Sequence, residues 1–317
     1  MKATLSDIEA AARNVYAAMN PTPQYAWPLL AERAGCEIWV KHENHTPIGA
    51  FKVRGGLNLL ARLSARDPQF SGVVSATRGN HGQSLAFAAR RHGARCRIVV
   101  PEGNSRGKNA AMKAFGAELV VFGRDFDEAR EHAASMAQSE GLRFVGPFEP
   151  ELVAGVATYA LEFFRAVPDL HTVFVPIGCG SGICGLISAR DALGLATRIV
   201  GVVSSNANAY AQSFRKRMRV ETATALTVAD GMAVRVPVQA ALDIICAGAH
   251  DVVEVSDPEV EAAMRFYYDD THQLAEGAGA APLAALLKTP QREGKRMGVI
   301  LTGGNVDRDV YSRILSG

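Results

Sequence analysis

The chain has 317 residues, of which 48% are hydrophobic and 21% are charged, and its formal net charge at pH 7 is +2. This composition is typical of a globular protein large enough for two domains, and so small a charge gives no reason to expect a nucleic acid or an acidic membrane as partner. The N-terminus lacks the apolar core of a signal peptide, and no apolar run approaches the roughly 18 residues of a membrane span.

Short β-rich runs alternate along the chain with Ala-rich helical stretches. The predicted strands cover residues 37–41, 72–75, 97–100, 118–122, 172–175, 198–203, 251–255 and 297–301. The predicted helices cover residues 54–63, 81–92, 106–115, 127–139, 151–167, 183–193, 258–269 and 278–287. Because strands that alternate with helices usually pair in parallel, we expect parallel sheets with helices on both faces and ligands at the carboxyl ends of the strands.

Lys52 lies in a small, mostly apolar run, residues 48–56, which reads Ile-Gly-Ala-Phe-Lys-Val-Arg-Gly-Gly and has no acidic neighbour closer than Glu43. Burial there would lower the pKa of the lysine, and a neutral amine is what forms a Schiff base with an aldehyde cofactor. A surface lysine at the start of a helix is an equally open interpretation of this stretch alone.

The loop after the predicted strand 72–75 is rich in polar groups and reads Thr77-Arg78-Gly79-Asn80-His81-Gly82-Gln83 before a helix. Its glycines allow a ligand close to the backbone, and its polar side chains and free amides can hold a carboxylate or phenolate oxygen. The alternative is an ordinary helix capped by Asn80. We interpret His81 as a packed imidazole in preference to a general base.

A glycine-rich loop follows the buried strand that begins at Thr172 and precedes a helix; it reads Gly178-Cys179-Gly180-Ser181-Gly182. Glycines allow successive N–H groups to point into one concavity at a helix N-terminus, and such a concavity binds phosphate. The loop lacks the Gly-Lys-Ser/Thr ending of a nucleotide P-loop, and no acidic residue near Val203 completes a dinucleotide site. It therefore favours a small phosphorylated cofactor, with a simple tight turn as the alternative.

The predicted strand 297–301 ends in Thr302-Gly303-Gly304-Asn305. Thr302 would present a neutral hydroxyl at the strand end, and the glycines would give a ligand access to it. Taken alone, this segment is as well explained by a simple turn.

Taken together, these segments resemble the pyridoxal phosphate enzymes of the tryptophan-synthase-β type, and they are most similar to the branch of serine/threonine dehydratases and serine racemases. The matching segments occur in the family's order and cover nearly the whole chain. They are Thr46-Pro47-Ile48-Gly49-Ala50-Phe51-Lys52, Gly79-Asn80-His81-Gly82-Gln83, Gly178–Gly182, Ala229-Asp230-Gly231, Glu276-Gly277-Ala278-Gly279 and Leu301-Thr302-Gly303-Gly304-Asn305.

The resemblance implies how pyridoxal 5'-phosphate and an amino-acid substrate would be held. Lys52 would form the Schiff base with the cofactor and later act as acid and base at the substrate Cα. The other implied cofactor-binding residues are Phe51 against the cofactor, Asn80 at the ring hydroxyl, Thr302 at the pyridine nitrogen, and the amides of Gly178, Cys179, Gly180, Ser181 and Gly182 at the phosphate. The implied carboxylate-binding residues are Thr77, Asn80 and His81.

The neutral hydroxyl of Thr302 also bears on the reaction. It would leave the ring nitrogen largely unprotonated, because no carboxylate stabilises a pyridinium, and a weaker electron sink suits immediate loss of a β-substituent. By the resemblance, the substrate amine displaces Lys52, Lys52 takes the Cα proton, and the β-hydroxyl departs with the cofactor phosphate as its acid. The released enamine hydrolyses to a 2-oxo acid and ammonia.

The chain departs from the family at several positions. Arg78 stands where racemases of this type carry a serine as second acid/base; since arginine stays protonated, racemisation is disfavoured. Arg78 is then left to bind a second carboxylate or a polar group of the substrate, or to form a structural ion pair. Cys179 and Ser181 replace glycines, a change that phosphate binding by backbone amides tolerates.

Two further departures concern metals and regulation. Residues 201–209 match a segment where some relatives bind Mg or Ca, but Val203 and Ala209 occupy the ligand positions and no carboxylate lies near in the sequence, so no metal site is expected. The chain ends soon after the catalytic core, and the regulatory domain of biosynthetic threonine dehydratases is therefore not expected.

We predict a two-domain α/β fold of the tryptophan synthase β type, with a large cofactor-binding domain of residues 1–56 and 146–317 and a small mobile domain of residues 57–145. The predicted function is that of a threonine-dehydratase-like lyase, an ammonia-lyase of amino-acid metabolism acting on threonine, serine, or a substituted analogue such as hydroxyaspartate or phenylserine. An amino-acid racemase and a non-catalytic binding protein are the alternatives.

We expect a homodimer, and the five scattered cysteines favour the cytoplasm.

Overall fold

The computed structural model describes residues 2–124, 126–290 and 295–317. In chain order its strands are β1 (Gln24–Ala26), β2 (Glu37–His42), β3 (Gly72–Ala76), β4 (Arg95–Val100), β5 (Glu118–Val121), β6 (Arg143–Phe144), β7 (Thr172–Pro176), β8 (Arg198–Ser204), β9 (Asp251–Val255) and β10 (Arg296–Leu301). Its α-helices are α1 (Leu5–Tyr16), α2 (Pro28–Ala34), α3 (Lys52–Arg66), α4 (Asn80–Arg91), α5 (Arg106–Ala114), α6 (Phe126–Glu140), α7 (Pro150–Ala166), α8 (Ser181–Ala192), α9 (Ala209–Lys216), α10 (Gln239–Gly248), α11 (Asp257–Thr271), α12 (Gly277–Lys288) and α13 (Arg308–Ser316).

The strands form two sheets. The six-stranded sheet has the order β1-β2-β10-β7-β8-β9, and the four-stranded sheet has the order β5-β4-β3-β6. All neighbouring strands pair in parallel except β1, which pairs antiparallel with β2. We call the six-stranded sheet with α2 and α7 to α13 the large lobe, and the four-stranded sheet with α4 to α6 the small lobe.

Every strand and helix predicted from the sequence is present, with ends that differ by a few residues, and the predicted parallel α/β architecture is confirmed. The structure also contains elements that were not predicted from the sequence: α1, α2, α9, α10, α13 and the two short strands β1 and β6. These strands have 3 and 2 residues, which is too short for a periodic pattern to be visible. A signal for α1 was present, since Thr4 and Asp7 form a capping box at its start.

Successive side chains of the central strands point to opposite faces of the sheet, so the large lobe has two apolar layers. Val173 and Val175 of β7 pack with α7, α8 and α10 on one face, whereas Phe174 packs with α11 and α12 on the other. A strand buried on both faces is expected to be apolar throughout, as β7 largely is. The small lobe is built in the same way, with α4 on one face of its sheet and α6 on the other.

The strands of the small lobe all lie between residues 72 and 144, inside the segment 57–145 that was expected to form a separate domain. Helix α3 contacts both α4 of the small lobe and α7 of the large lobe. The predicted domain boundaries and the mobility of the small domain stay predictions.

A buried ionic network fixes the start of α3. The guanidinium of Arg54 is fully buried and donates to Glu43 at 2.7 Å and to Glu162 at 2.6 Å, while Lys41 also donates to Glu162 at 2.6 Å. Removing one partner of such a network would leave an uncompensated buried charge, which is strongly destabilising. The network therefore ties α3, which begins at Lys52, to β2 and α7.

Candidate active site

A cavity of about 150 Å³ lies between the two lobes, at the carboxyl ends of β3, β7 and β10. Ligand sites of parallel sheets are expected at this edge. Every candidate residue named from the sequence lines the cavity: Phe51, Lys52, Thr77, Arg78, Asn80, His81, Gly178, Cys179, Gly180, Ser181, Gly182 and Thr302. The structure thus brings together segments that are far apart in the sequence, while their individual roles stay predictions.

Lys52 is the first residue of α3, and its side chain faces the cavity. Its Nζ donates to Ser181 Oγ at 2.8 Å and lies 4.9 Å from the centre of the Phe51 ring. Burial lowers the pKa of Lys52, and no carboxylate among the described residues forms an ion pair with it. The interpretation of Lys52 as a surface lysine is therefore wrong.

The glycine-rich loop connects β7 to α8. Gly180, the residue before α8, has a φ of 97°, a conformation that favours glycine. A Cβ at Gly178 would lie 2.2 Å from the carbonyl oxygen of Gly231, so a side chain there would collide with backbone. Because the first amides of a helix have no acceptor within it, the start of α8 offers N–H groups to an anion in the cavity.

The two residues that depart from the all-glycine pattern fit this loop. Neither Cys179 nor Ser181 has a positive φ, so both positions accept a side chain. The hydroxyl of Ser181 contacts Lys52, and the carbonyl of Cys179 accepts a hydrogen bond from Tyr210 at 3.3 Å.

Asn80 reaches across to the large lobe. Its side-chain amide donates to Glu276 Oε1 at 2.6 Å, and its side-chain oxygen accepts from Asn305 at 2.9 Å. The residue that caps α4 is Gly79, so the interpretation of Asn80 as a simple helix cap is wrong. Thr77 shapes the same turn, since its Oγ1 accepts the amide of Gly79 at 3.0 Å.

His81 is buried beneath the cavity. Burial lowers its pKa to about 3, and the positive charge of Lys52 acts in the same direction. The ring is therefore neutral at physiological pH, and its Nε2 has no hydrogen-bond partner within the described residues. A packed, neutral imidazole is the interpretation that this geometry favours.

Arg78 lies at the rim of the cavity between buried neighbours, Thr77 and Gly79, with its own side chain exposed. It forms no hydrogen bond or ion pair with any other residue that the structure describes. The structural ion pair that was one interpretation of Arg78 is thus not found in the described part of the chain.

Three charged residues that line the cavity were missed as candidates from the sequence. Lys108 of α5 contacts Asp230 at 2.6 Å and Glu276 at 3.4 Å, so it joins the small lobe to the large lobe. Burial alone would lower the pKa of Lys108, but the two carboxylates raise it overall. Burial raises the pKa of Glu276. Asp230 and Glu276 lie in segments that match the family, but the sequence assigned them no role. Nothing in the sequence distinguished Lys108 from the other lysines.

The segment 201–209 has carboxylates close to it after all. Asp257 lies 3.4 Å from both Ser204 Oγ and Asn206 Nδ2, and Glu254 accepts from Asn208 at 2.9 Å. These carboxylates are far from the segment in the sequence but close to it in the folded chain. Among the residues described, no group of three or more His, Cys, Asp or Glu could hold a metal ion, and the predicted lack of a metal site stays a prediction.

The cysteines are free thiols. Across the described ranges, no helix has the length and apolar character needed to cross a membrane.

The residues at the cavity fit pyridoxal phosphate. A lysine amine that pairs with no carboxylate in the described part of the chain suits an aldehyde. A concavity where a Cβ would meet backbone suits close approach of phosphate to amides. Thr302, which is 2% exposed, directly follows the last residue of β10. Its neutral hydroxyl suits an unprotonated ring nitrogen.

Comparisons with known proteins agree with this fit. The family model described as "Pyridoxal-phosphate dependent enzyme" matches residues 15–303. The chain is 33% identical to L-threonine ammonia-lyase of Thermotoga maritima over 314 residues, covering 99% of this chain and 78% of the relative. It is 32% identical to L-threo-3-hydroxyaspartate ammonia-lyase of Saccharomyces cerevisiae over 316 residues, covering 99% of this chain and 97% of the relative. A crystal structure of a pyridoxal 5'-phosphate-dependent aspartate racemase superposes with a TM-score of 0.91 at 29% identity, covering 96% of this chain and 97% of the other.

Proposed function

The chain belongs to the family of pyridoxal-phosphate-dependent enzymes, and from that membership we propose that it is an ammonia-lyase that converts a β-hydroxy amino acid to a 2-oxo acid and ammonia by α,β-elimination. The observation that carries the proposal is that Lys52 and Arg78 line one cavity, where Lys52 pairs with no carboxylate among the described residues. By the resemblance to racemases, Arg78 stands where those enzymes carry their second acid/base. A single proton-transfer group serves elimination, whereas inversion at Cα needs a second one.

The cofactor would be held by residues of both lobes. The amides of residues 178–182 would bind its phosphate, Lys52 its aldehyde carbon, and Asn80 and Thr302 its ring substituents. When bound, the cofactor supplies an electron-withdrawing ring that stabilises negative charge at the substrate Cα. Phe51 would pack on that ring.

The side chain of Lys52 would remove the proton from Cα. Burial lowers the pKa of Lys52, which favours the form of the amine that accepts a proton, and Ser181 orients the amine through the 2.8 Å hydrogen bond. The substrate carboxylate would lie at the start of α4, where free amides, Thr77 and Asn80 offer donors. Neutral His81 completes this pocket as a packed, uncharged wall.

Closure of the small lobe would exclude water from the reaction. Lys108 bridges the lobes through Asp230 and Glu276, and Asn80 bridges them through Glu276 and Asn305. We propose that these contacts hold the closed state of the mobile domain 57–145. Opening would then require the cross-lobe hydrogen bonds to break together.

The test is to assay the purified holoenzyme for 2-oxo acid and ammonia with L-threonine and L-serine. Lys52→Ala should abolish turnover and the absorbance band of the lysine-bound cofactor, whereas Lys216→Ala, which removes an exposed lysine of α9, should retain both. A wild-type protein that binds no pyridoxal phosphate, or that forms no 2-oxo acid from any β-hydroxy amino acid, would contradict the proposal.

An amino-acid racemase remains the second candidate, because the chain superposes closely on a solved aspartate racemase. The two functions separate in one experiment, since a racemase changes the optical activity of its substrate without releasing ammonia. Loss of optical activity with no 2-oxo acid would replace the lyase by the racemase. Arg78, which stays protonated, favours the lyase.

The curated relatives named for threonine and for hydroxyaspartate are almost equally similar to this chain. The family therefore leaves the substrate side chain open, and threonine and serine serve as default substrates.

We further propose a cytoplasmic homodimer. Light scattering of the purified protein that gives the mass of a single chain would contradict the dimer.

A further inference from the structure

We infer that Arg78 binds an anionic group at the distal end of the substrate, so that this enzyme prefers dicarboxylic β-hydroxy amino acids, such as 3-hydroxyaspartate, to threonine and serine. The inference rests on the proposed elimination and names its substrate class. The substrate would lose water by elimination and regain it when the released enamine hydrolyses. The net products are therefore a 2-oxo dicarboxylate and ammonia.

The charges that line the cavity support this inference. Lys108 is neutralised by Asp230 and Glu276, and Lys52 is engaged by Ser181 and required by the cofactor. His81 is buried and uncharged. Of the described charged side chains that line the cavity, Arg78 is thus the one cation left without a protein partner.

The position of Arg78 also fits a distal carboxylate. It lies in the turn between β3 and α4, directly before the helix start that would receive the α-carboxylate. Its backbone neighbours are buried, while its guanidinium is exposed at the cavity rim. A substrate held by its α-carboxylate on this turn would therefore extend its β-substituent past the same turn, within the neighbourhood of the guanidinium.

Guanidinium is suited to this task because it presents paired donors that match both oxygens of a carboxylate. Threonine and serine would leave Arg78 solvated, which carries little penalty for an exposed cation. The expected effect is therefore a gain for dicarboxylic substrates without exclusion of the small ones. For a charge-assisted pair at a partly solvated rim, this gain is roughly two- to fivefold in kcat/KM.

The kinetic test compares L-threonine, L-serine and both diastereomers of 3-hydroxyaspartate with wild type, Arg78→Gln, Arg78→Lys and Arg90→Gln holoenzymes. Arg90 is an exposed arginine in the last turn of α4 and does not line the cavity, so its variant is the matched control for loss of charge. Arg78→Gln should lose roughly two- to fivefold more kcat/KM on hydroxyaspartate than on threonine, mainly through KM. Arg78→Lys should recover part of this difference, and Arg90→Gln should leave the substrate ratio unchanged.

A binding test is independent of turnover. Succinate and butyrate have similar chain lengths, but only succinate carries a second carboxylate, so isothermal titration of the holoenzyme measures the contribution of that group. Wild type should bind succinate more tightly than butyrate, and Arg78→Gln should remove the difference. Cofactor affinity, measured by spectroscopic titration, should be equal in wild type and Arg78→Gln; a loss there would assign Arg78 to the cofactor phosphate and overturn the inference.

The outcomes separate this inference from the proposed function. If no β-hydroxy amino acid yields a 2-oxo acid, the lyase itself fails. If threonine is converted but hydroxyaspartate is not, the lyase stands and the second-carboxylate role of Arg78 is overturned. The same holds if Arg78→Gln lowers kcat/KM equally for both substrates.

Discussion

Two strand–loop–helix units face the same cavity, and they use opposite means to hold a ligand. The loop between β7 and α8 offers backbone amides, and a Cβ at Gly178 would meet a carbonyl oxygen of the backbone at 2.2 Å. The loop between β3 and α4 offers side chains, and a Cβ at Gly79 would meet the middle of the flexible Lys108 side chain at 2.4 Å. The first loop has a fixed shape suited to a cofactor phosphate that never varies. Single substitutions in the second loop can change which ligand it binds, and this loop carries Arg78.

The largest expected effect separates these two loops directly. Gly178→Ala should lower cofactor affinity and the free energy of unfolding by about 3 kcal/mol, because the carbonyl of Gly231 cannot move away without shifting the backbone. Gly79→Ala should cost less, about 1–2 kcal/mol, because the Lys108 side chain can shift where a backbone carbonyl cannot, although that shift strains its ion pair with Asp230. Spectroscopic titration with pyridoxal phosphate and chemical denaturation measure both.

Gly146→Ala is the control for these glycine substitutions. Gly146 has no positive φ, and no neighbouring atom lies within 4 Å of the place that an alanine Cβ would take, so the added carbon meets open space. Equal losses for Gly178→Ala and Gly79→Ala would contradict the contrast between a rigid and an adjustable loop.

The second prediction concerns Lys108, which joins the side-chain loop to the large lobe. Lys108→Met should reduce kcat/KM roughly thirtyfold, because it leaves the carboxylate of Asp230 without its partner and removes a charge-assisted contact of the closed state. Steady-state assays with L-threonine measure the effect. Lys113→Met, an exposed lysine of the same helix, should retain wild-type activity, and similar losses in both variants would remove the proposed bridging role.

The smallest expected effect is a pH dependence carried by His81. The folded protein holds its pKa at about 3, below the ordinary 6.5, so the unfolded chain takes up a proton first as the pH falls. The stability that this group contributes is complete above pH 6.5 and is lost progressively as the pH falls toward 3. Between pH 7 and pH 5.5, wild type should lose about 1 kcal/mol more unfolding free energy than His81→Gln.

Urea denaturation at the two pH values measures this difference. His250→Gln, which removes an exposed imidazole, is the control and should follow the wild-type pH dependence. If His81→Gln loses as much stability as wild type, the imidazole is not held neutral, and the side-chain loop has a second charged group beside Arg78.

Much of the fold and most of the cavity lining could be predicted because their signals are local. The alternation of apolar strands and Ala-rich helices is visible in windows of a few residues, and it placed the loops of Lys52, Asn80, the glycines and Thr302 at one edge of the sheets. The role of Asn80 was harder, since the same residue type caps helices. Its actual partner, Glu276, lies 196 residues away in the sequence.

The sequence by itself determined the α/β class, the order of the eight longer strands and of the eight helices predicted from it, and the chemistry of the candidate loops, because periodicity and glycine spacing act over short distances. Only the tertiary structure decided which charges are neutralised. Lys108 meets Asp230 across 122 residues, and Glu254 and Asp257 approach the segment 201–209 from a neighbouring strand and helix. Electrostatic pairing depends on distance in space and leaves no pattern in the chain. The sequence alone therefore could not tell that Lys108 is paired while Arg78 has no partner among the residues that the structure describes.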